Sequence, residues 1–236
     1  MDTLSSVTVF VSTLDQWSAV WPGFIHGMRE YWPDCSWPVV FSTEEKDTGF
    51  GQSLKIGREE QWGARNRRAL QQIESPIILF MIDDFWLCDP VDTEKLVDFS
   101  DVVRDGSANY IALAYGHKEL SDGDFNHDLF YRGVKDYYRL ALQASLWNKE
   151  TLISLLDDDA TPWAFEQAGQ ARSIERGLLC LATKEWRFLK YVERNIPEWE
   201  GGIVMRGKWQ PDAMKYAQRE GLIFDFSINP DGTERQ

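Results

Sequence analysis

The first clear pattern is an alternation in which Val7, Val9 and Val11 interleave with Thr8, Phe10 and Ser12, all good strand formers, up to the turn-prone pair Ser12-Thr13. Trp17, Val20, Trp21, Phe24, Met28 and Tyr31 then recur at helical spacing. Pro22 lacks the N–H that a helix interior needs, so it is expected to break or kink this stretch after its first turn. Residues 37–41 read as a second strand, and 44–57, polar with Gly49, Gly51 and Gly57 spaced through it, as a mobile surface loop. Trp62, Ala69, Leu70 and Ile73 mark the inner face of a helix over about 59–74, stopped at Ser75-Pro76 because the residue before proline avoids the helical region. Ile77–Ile82 follows as an unbroken apolar run, which suits a strand covered on both faces.

Beyond it the pattern predicts a helix over 93–103, a strand over 110–114 and a polar loop over 116–127. Within 138–147, Tyr138, Leu140, Leu142, Ala144 and Leu146 share one face with a period of two. Asn148 is placed to cap a short helix through Leu156. Thr161-Pro162, a cap residue followed by proline at the first helical position, opens another helix to Ile174. Segments 178–182, 188–192 and 203–205 read as short strands, 212–220 as a last helix and 229–236 as a disordered tail. No repeat or low-complexity tract divides this succession, so the expectation is one α/β, Rossmann-like domain over 1–228 with a mostly parallel central sheet flanked by helices.

With 236 residues, 43% hydrophobic and 14% aromatic, the chain fills such a core without covalent staples. Cys35, Cys88 and Cys180 lie far apart with no CxxC pair, which suggests neither a disulfide framework nor a zinc knuckle and fits a reducing cytoplasm. No signal-peptide pattern opens the chain and no apolar run reaches the roughly 18 residues of a membrane span. The expected placement is cytoplasmic, free or peripheral to the inner face of the membrane. The formal charge of −13, from 25 basic and 38 acidic side chains, opposes nonspecific binding to nucleic acid or anionic lipid. A phosphate-bearing ligand then has to be held locally, by a metal or a few aimed cations. The eleven tryptophans suit stacking on a nucleobase or sugar, although core packing accounts for most of them.

In open α/β sheets ligands collect beyond the carboxyl ends of the strands, where Ile77–Ile82 runs into Asp83-Asp84. Two adjacent anions there repel each other and lose hydration, a cost that a divalent cation relieves. Mg²⁺ and Mn²⁺ take one or two carboxylates together with phosphate oxygens and water. The structural alternative is that Asp83 caps the following turn and Asp84 pairs with an arginine. The run ILFMIDDFWLCDPVD resembles the central strand and aspartate motif of GT-A glycosyltransferases, particularly the bacterial polysaccharide-type branch. The helix Trp62-Gly-Ala-Arg65-Asn-Arg-Arg-Ala-Leu70 is similar to the one preceding that strand, and 140–147 to the acceptor-side strand. Pro162-Trp163-Ala-Phe165-Glu166 is similar to the helix start that brings in a catalytic acid, so the likeness covers roughly 7–174.

The resemblance implies that Asp84, with Asp83, holds Mn²⁺ or Mg²⁺, that Asp83 contacts the ribose or the metal's water shell, and that Ser12, Thr13, Asp15, Arg65 and Trp163 contact a nucleotide-sugar. Ile82 stands where the family's commoner Asp-X-Asp pattern has its first aspartate, which leaves the metal requirement open. No histidine follows His127, so Arg206 and Lys208, beside Gly201-Gly202 and Gly207, are the candidates to neutralise a diphosphate; the alternative is that they are exposed loop cations. Thr13 and Asp15 serve equally well as helix caps.

An inverting transfer needs a carboxylate to remove the acceptor hydroxyl proton, and Glu166 is the candidate. Flanking Trp163 and Phe165 would raise its pKa as an apolar wall, the helix N-terminus would lower it, and a glutamate there also stabilises a helix with no further role. The segment Asp122-Gly-Asp124-Phe-Asn126-His-Asp128 suggests a calcium loop, but His127 and Gly133 stand where glycine and glutamate are required, so a flexible acceptor loop fits better. The expected activity is transfer of a sugar from a nucleotide-sugar donor, a UDP-sugar favoured, to a saccharide or glycolipid acceptor in surface polysaccharide or glycolipid biosynthesis. A nucleotidyltransferase would favour a glycine-rich loop after the first strand, where Ser12-Thr-Leu-Asp15 has none. A catalytically silent sugar- or nucleotide-binding domain of the same fold is the third reading.

Overall fold

The computed structural model describes residues 6–58, 61–114, 118–192 and 202–233. The strand β1 (Val7–Ser12) lies between β2 (Val39–Thr43) and β4 (Ile77–Ile82), with β3 (Gln52–Lys55) outside β2, and all four are parallel. β5 (Tyr110–Ala112) is separated from β4 by β8 (Ser145–Asn148), which runs antiparallel to both. β9 (Cys180–Thr183) is parallel to β5, while β7 (Leu129–Arg132) and β6 (Ser121–Asp124) complete the sheet in antiparallel pairing. The nine-stranded order is β3-β2-β1-β4-β8-β5-β9-β7-β6. Only β7 and β8 run against the rest, so the sheet is mixed with mostly parallel strands, as expected.

Both faces are covered. On β4, Ile77, Leu79 and Met81 join one apolar cluster with α1 (Trp21–Tyr31), α3 (Thr93–Arg104) and α6 (Pro211–Arg219). Ile78 and Phe80 join the opposite cluster with α2 (Trp62–Leu70), α4 (Lys149–Leu155) and α5 (Pro162–Glu175). This two-sided burial is why the β4 sequence is apolar without alternation.

Several expectations are corrected. Pro22 stands at the opening of α1, after a 3₁₀ turn over Asp15–Val20, a position that needs no backbone N–H. Within 44–57, β3 pairs with β2; as a short edge strand with Leu54 its one apolar residue, it is too short to show an apolar alternation. The 116–127 loop contains β6, and of 138–147 only Ser145–Asn148 is a strand. The predicted strand at 188–192 contributes only a single bridge, Leu87 to Tyr191. Val204–Met205 forms β10, which pairs with β11 (Lys208–Trp209) in a hairpin. Residues 229–233 close a turn through Asn229 N–H and the Thr233 carbonyl at 2.8 Å, whereas 234–236, Glu59, 115–117 and Gly201 lie outside the described residues. No helix among the described residues is long and apolar enough to cross a membrane.

One packing feature fixes the path of the chain as it leaves β4. Gly23 and Gly27, one turn apart on α1, leave a shallow groove into which Trp86 and Leu87 press. Trp86 is fully buried, donates its indole N–H to the Val20 carbonyl at 2.9 Å, and stacks with Phe224 at 5.2 Å between ring centres. Tyr216 of α6 donates to the Leu87 carbonyl at 2.9 Å, so the C-terminal helix rests on the same two residues. A β-carbon on Gly23 would lie 2.3 Å from the Trp86 ring, which has no room to retreat. Gly23→Ala is therefore expected to cost about 1–3 kcal/mol through overpacking, measured as a lower urea midpoint with an unchanged slope.

Candidate functional site

Ser12, Thr13, Asp83 and Asp84 meet at the carboxyl ends of β1 and β4, because Ser12 and Ile82 are in register. Asp83 is buried, and one of its oxygens accepts a very short hydrogen bond from the Thr13 hydroxyl, which in turn accepts the Trp21 indole N–H at 2.8 Å. Burial pushes the Asp83 carboxyl up to about 7, against the opposing pull of Thr13, Trp21 and the buried Arg65 guanidinium of α2. Asp84 keeps a partial opening to solvent, and among the described residues no cation compensates it; desolvation and its neighbour Asp83 push it up to about 8. The chain returns directly beneath it. Ile203 N–H donates to the Asp84 carbonyl at 3.0 Å, and a β-carbon on Gly202 would lie 2.4 Å from the Asp84 carboxylate, so glycine is required at that approach.

Sequence reasoning did not single out the polar groups beside this pair. Ser42, paired in register with Ser12, and Thr43 are fully buried, and neither hydroxyl has a hydrogen-bond partner among the described residues. The side-chain oxygen of Asn66, next to Arg65 on α2, is also buried and unmet. Unmet buried polar atoms are rare and call for an explanation, which a bound ligand or water would supply. The available signal was a Ser-Thr pair at the end of an apolar strand, the same cue that Ser12-Thr13 gives.

The Asp15 carboxylate accepts backbone N–H groups from Glu44, Glu45 and Lys46 at 2.9–3.0 Å, tying the exit of β1 to that of β2. On its far side lies a groove of about 450 Å³ lined by Lys46, Trp209 and parts of 223–232. Arg206 and Gly207, both with positive φ (50° and 74°), form the tight turn between β10 and β11, which leaves Arg206 and Lys208 exposed on the segment that follows Gly202.

Glu166 occupies the same edge. Leu142 lies just before β8, whose Ser145 pairs with Phe80 of β4, and the Leu142 N–H donates to Glu166 Oε1 at 2.8 Å. The expected apolar wall is corrected: Phe165 turns into the core against Trp62 and Trp147, while Trp163 points outward, 72% exposed. Burial nevertheless raises the Glu166 pKa, with the Leu142 N–H and the Arg132 charge pulling it down. In the expected acceptor loop, Asp122 accepts from Val134 N–H, Asp124 pairs with Lys184 and Asp128 with Lys95, so these carboxylates brace the β6–β7 hairpin.

Fold and site together define a mixed α/β protein whose acidic pair and buried hydroxyls share the carboxyl edge of a parallel sheet half. No family description and no curated protein matches the chain. Among solved structures, S. aureus TarS 1–349 aligns with a TM-score of 0.48 and 13% identity over 71% of this chain and 55% of that one. Its complex with UDP gives 0.47 and 12% over 71% and 54%. A CMP:2-keto-3-deoxy-manno-octonic acid synthetase complexed with CTP gives 0.44 and 14% over 75% and 88%. The chain thus spans about half the length of the TarS fragment, and at these scores the likenesses add nothing to the site's own geometry.

A carboxyl whose folded pKa is raised binds its proton more tightly in the native state, so stability falls as pH rises from the ordinary value of 3.8 to the folded one, here about 8 for Asp84. In EDTA, Asp84→Asn should therefore match wild type near pH 4 and exceed it by roughly 1–3 kcal/mol at pH 8 in denaturant titrations. Parallel pH profiles for the two proteins would remove the uncompensated-charge account.

Proposed function

We propose that the chain is a GT-A-like glycosyltransferase that moves a sugar from a nucleoside-diphosphate donor, a UDP-sugar favoured, to an acceptor hydroxyl. The observation that carries this reading is the asymmetry of the carboxylate pair. Asp83 is buried and already engaged by Thr13 and Arg65, whereas Asp84 beside it is reachable and uncompensated. An uncompensated carboxylate fits one ligand of Mg²⁺ or Mn²⁺, and since no cluster of three or more acidic, His or Cys side chains that could hold a metal occurs among the described residues, phosphate oxygens and water would complete the shell. When bound, such a cation supplies the charge that offsets the departing diphosphate.

In this reading the buried hydroxyls of Ser42 and Thr43, with Ser12 and Asn66, hold the nucleoside at the mouth of β1 and β2. Arg206 and Lys208 approach the diphosphate from the β10–β11 hairpin. Glu166 uses its second oxygen to take the acceptor proton, since Oε1 is held by Leu142, and Trp163 offers an exposed face to the acceptor.

UDP should raise the melting temperature, and more so with Mn²⁺, because a ligand bound only to the native state stabilises it by mass action. Asp84→Asn should abolish the metal-dependent increment while the fold persists; an increment that survives the substitution rejects Asp84 as a ligand. Glu166→Gln should leave UDP binding intact and lower transfer about 10²-fold or more. UDP binding without turnover of any UDP-sugar would favour a silent binding domain, and release of pyrophosphate from a nucleoside triphosphate would favour a nucleotidyltransferase.

A further inference from the structure

Beneath Glu166 lies a buried polar cluster that the proposed chemistry has not yet used. Arg132 of β7 is 1% exposed and donates through Nε and Nη2 to the same oxygen of Asp136, at 2.8 and 2.6 Å; Asp136 is equally buried. Arg139, 8% exposed, donates to the carbonyls of Arg132 and Leu178. Two buried guanidiniums therefore share this cluster with one buried carboxylate, which among the described residues pairs with Arg132 alone. The other titratable groups beside the cluster among the described residues are Tyr110 from β5 and Cys180 from β9, both neutral at ordinary pH, Glu166 from α5, and Asp122 from β6, which is exposed to solvent and takes up the Val134 N–H.

The cluster is also wired to Glu166 through the backbone. Arg132 Nη1 reaches the Tyr110 hydroxyl at 3.4 Å, and that hydroxyl accepts the Ala141 N–H at 3.1 Å and donates to the Ala141 carbonyl at 3.2 Å. The next N–H, that of Leu142, is the one Glu166 holds at 2.8 Å. The peptide group joining Ala141 to Leu142 is thus gripped by Tyr110 at its carbonyl and by Glu166 at its N–H. Among the described residues Glu166 Oε2 accepts no hydrogen bond, so the grip fixes the carboxylate while leaving one oxygen available.

We infer that Arg132, seconded by Arg139 and Tyr110, is a positioning residue for Glu166: the cluster carries one positive charge too many, and the Glu166 carboxylate supplies the missing counter-charge and is thereby kept ionised and in place. A proton taken up by Glu166 leaves the excess charge exposed to the protein interior, which favours passing that proton on. The inference rests on the proposed function only for its catalytic meaning, since the charge balance belongs to the protein's own side chains.

The test is a ¹³C NMR titration of the Glu166 carboxyl in the full chain, assigned with Glu166→Gln. The midpoint should rise by about one pH unit, a tenfold gain in proton affinity, in Arg132→Gln, and stay near wild type in Arg132→Lys, which keeps the charge. If Arg132→Gln does not fold, Arg139→Gln decides in its place, with a smaller upward shift expected. Equal midpoints in the neutral variants and wild type, or a Glu166 that is protonated at pH 7 in wild type, overturn the inference. A parallel pH profile of UDP-GlcNAc turnover separates the two claims. A carboxyl midpoint that moves without moving the acidic limb leaves the positioning intact and removes Glu166 as base.

Discussion

The arrangement depends on how the chain is held as it leaves β4. A buried strand that ends in two carboxylates has no intrinsic reason to keep them together, because repulsion and lost hydration both favour splaying toward water. The seating of Trp86 and Leu87 in the glycine groove of α1 prevents this. Val192 N–H bonds the Trp86 carbonyl, Cys88 N–H bonds the Lys190 carbonyl, and α6 docks through Tyr216 on Leu87, so segments far apart in sequence share this single foothold. Phe85, between the carboxylates and Trp86, stacks on Tyr191 at 4.4 Å between ring centres and closes the same seam.

Charge is distributed unevenly along the edge. At Asp83 the negative charge is met inside the protein, by a hydroxyl, an indole and a guanidinium; at Asp84 no cation among the described residues meets it. Around Arg132 the imbalance has the opposite sign and is met by Glu166. Buried ion groups contribute little net stability, because desolvation offsets attraction, so such imbalances point to function more than to folding.

The sequence made the strands and helices around the acidic pair legible because their cues are local: the apolar run of β4, the Asn148 and Thr161 caps, and proline at the start of α5. The caps behave as read, with Asn148 accepting from Thr151 N–H and Thr161 from Ala164 N–H. Illegible were features whose cause is tertiary. β3 is a strand only because β2 offers it an edge, and residues 138–144 alternate in polarity yet are held by Tyr110 and Glu166 in place of a ladder. The same holds within the site. That Phe165 faces inward and Trp163 outward follows from the phase of α5 against Trp62 and Trp147, which its sequence does not specify. The Arg132–Asp136 pair has i,i+4 spacing, but its burial is tertiary, since β7, which carries Arg132, lies inside the sheet between β6 and β9.

The strand order also has a kinetic side. The β3-β2-β1-β4 half is contiguous in sequence and can assemble from the first third of the chain. The partner that shields β4 on its other flank, β8, comes from much later, and Gly202 later still. Until those segments arrive, Asp83 and Asp84 remain in water, where both ionise at ordinary values and weaken nothing. Closure of this edge is therefore a late, long-range step that topology makes slow. The desolvation that raises the pKa of the acidic pair is imposed only after the parallel core beneath it is stable enough to bear it.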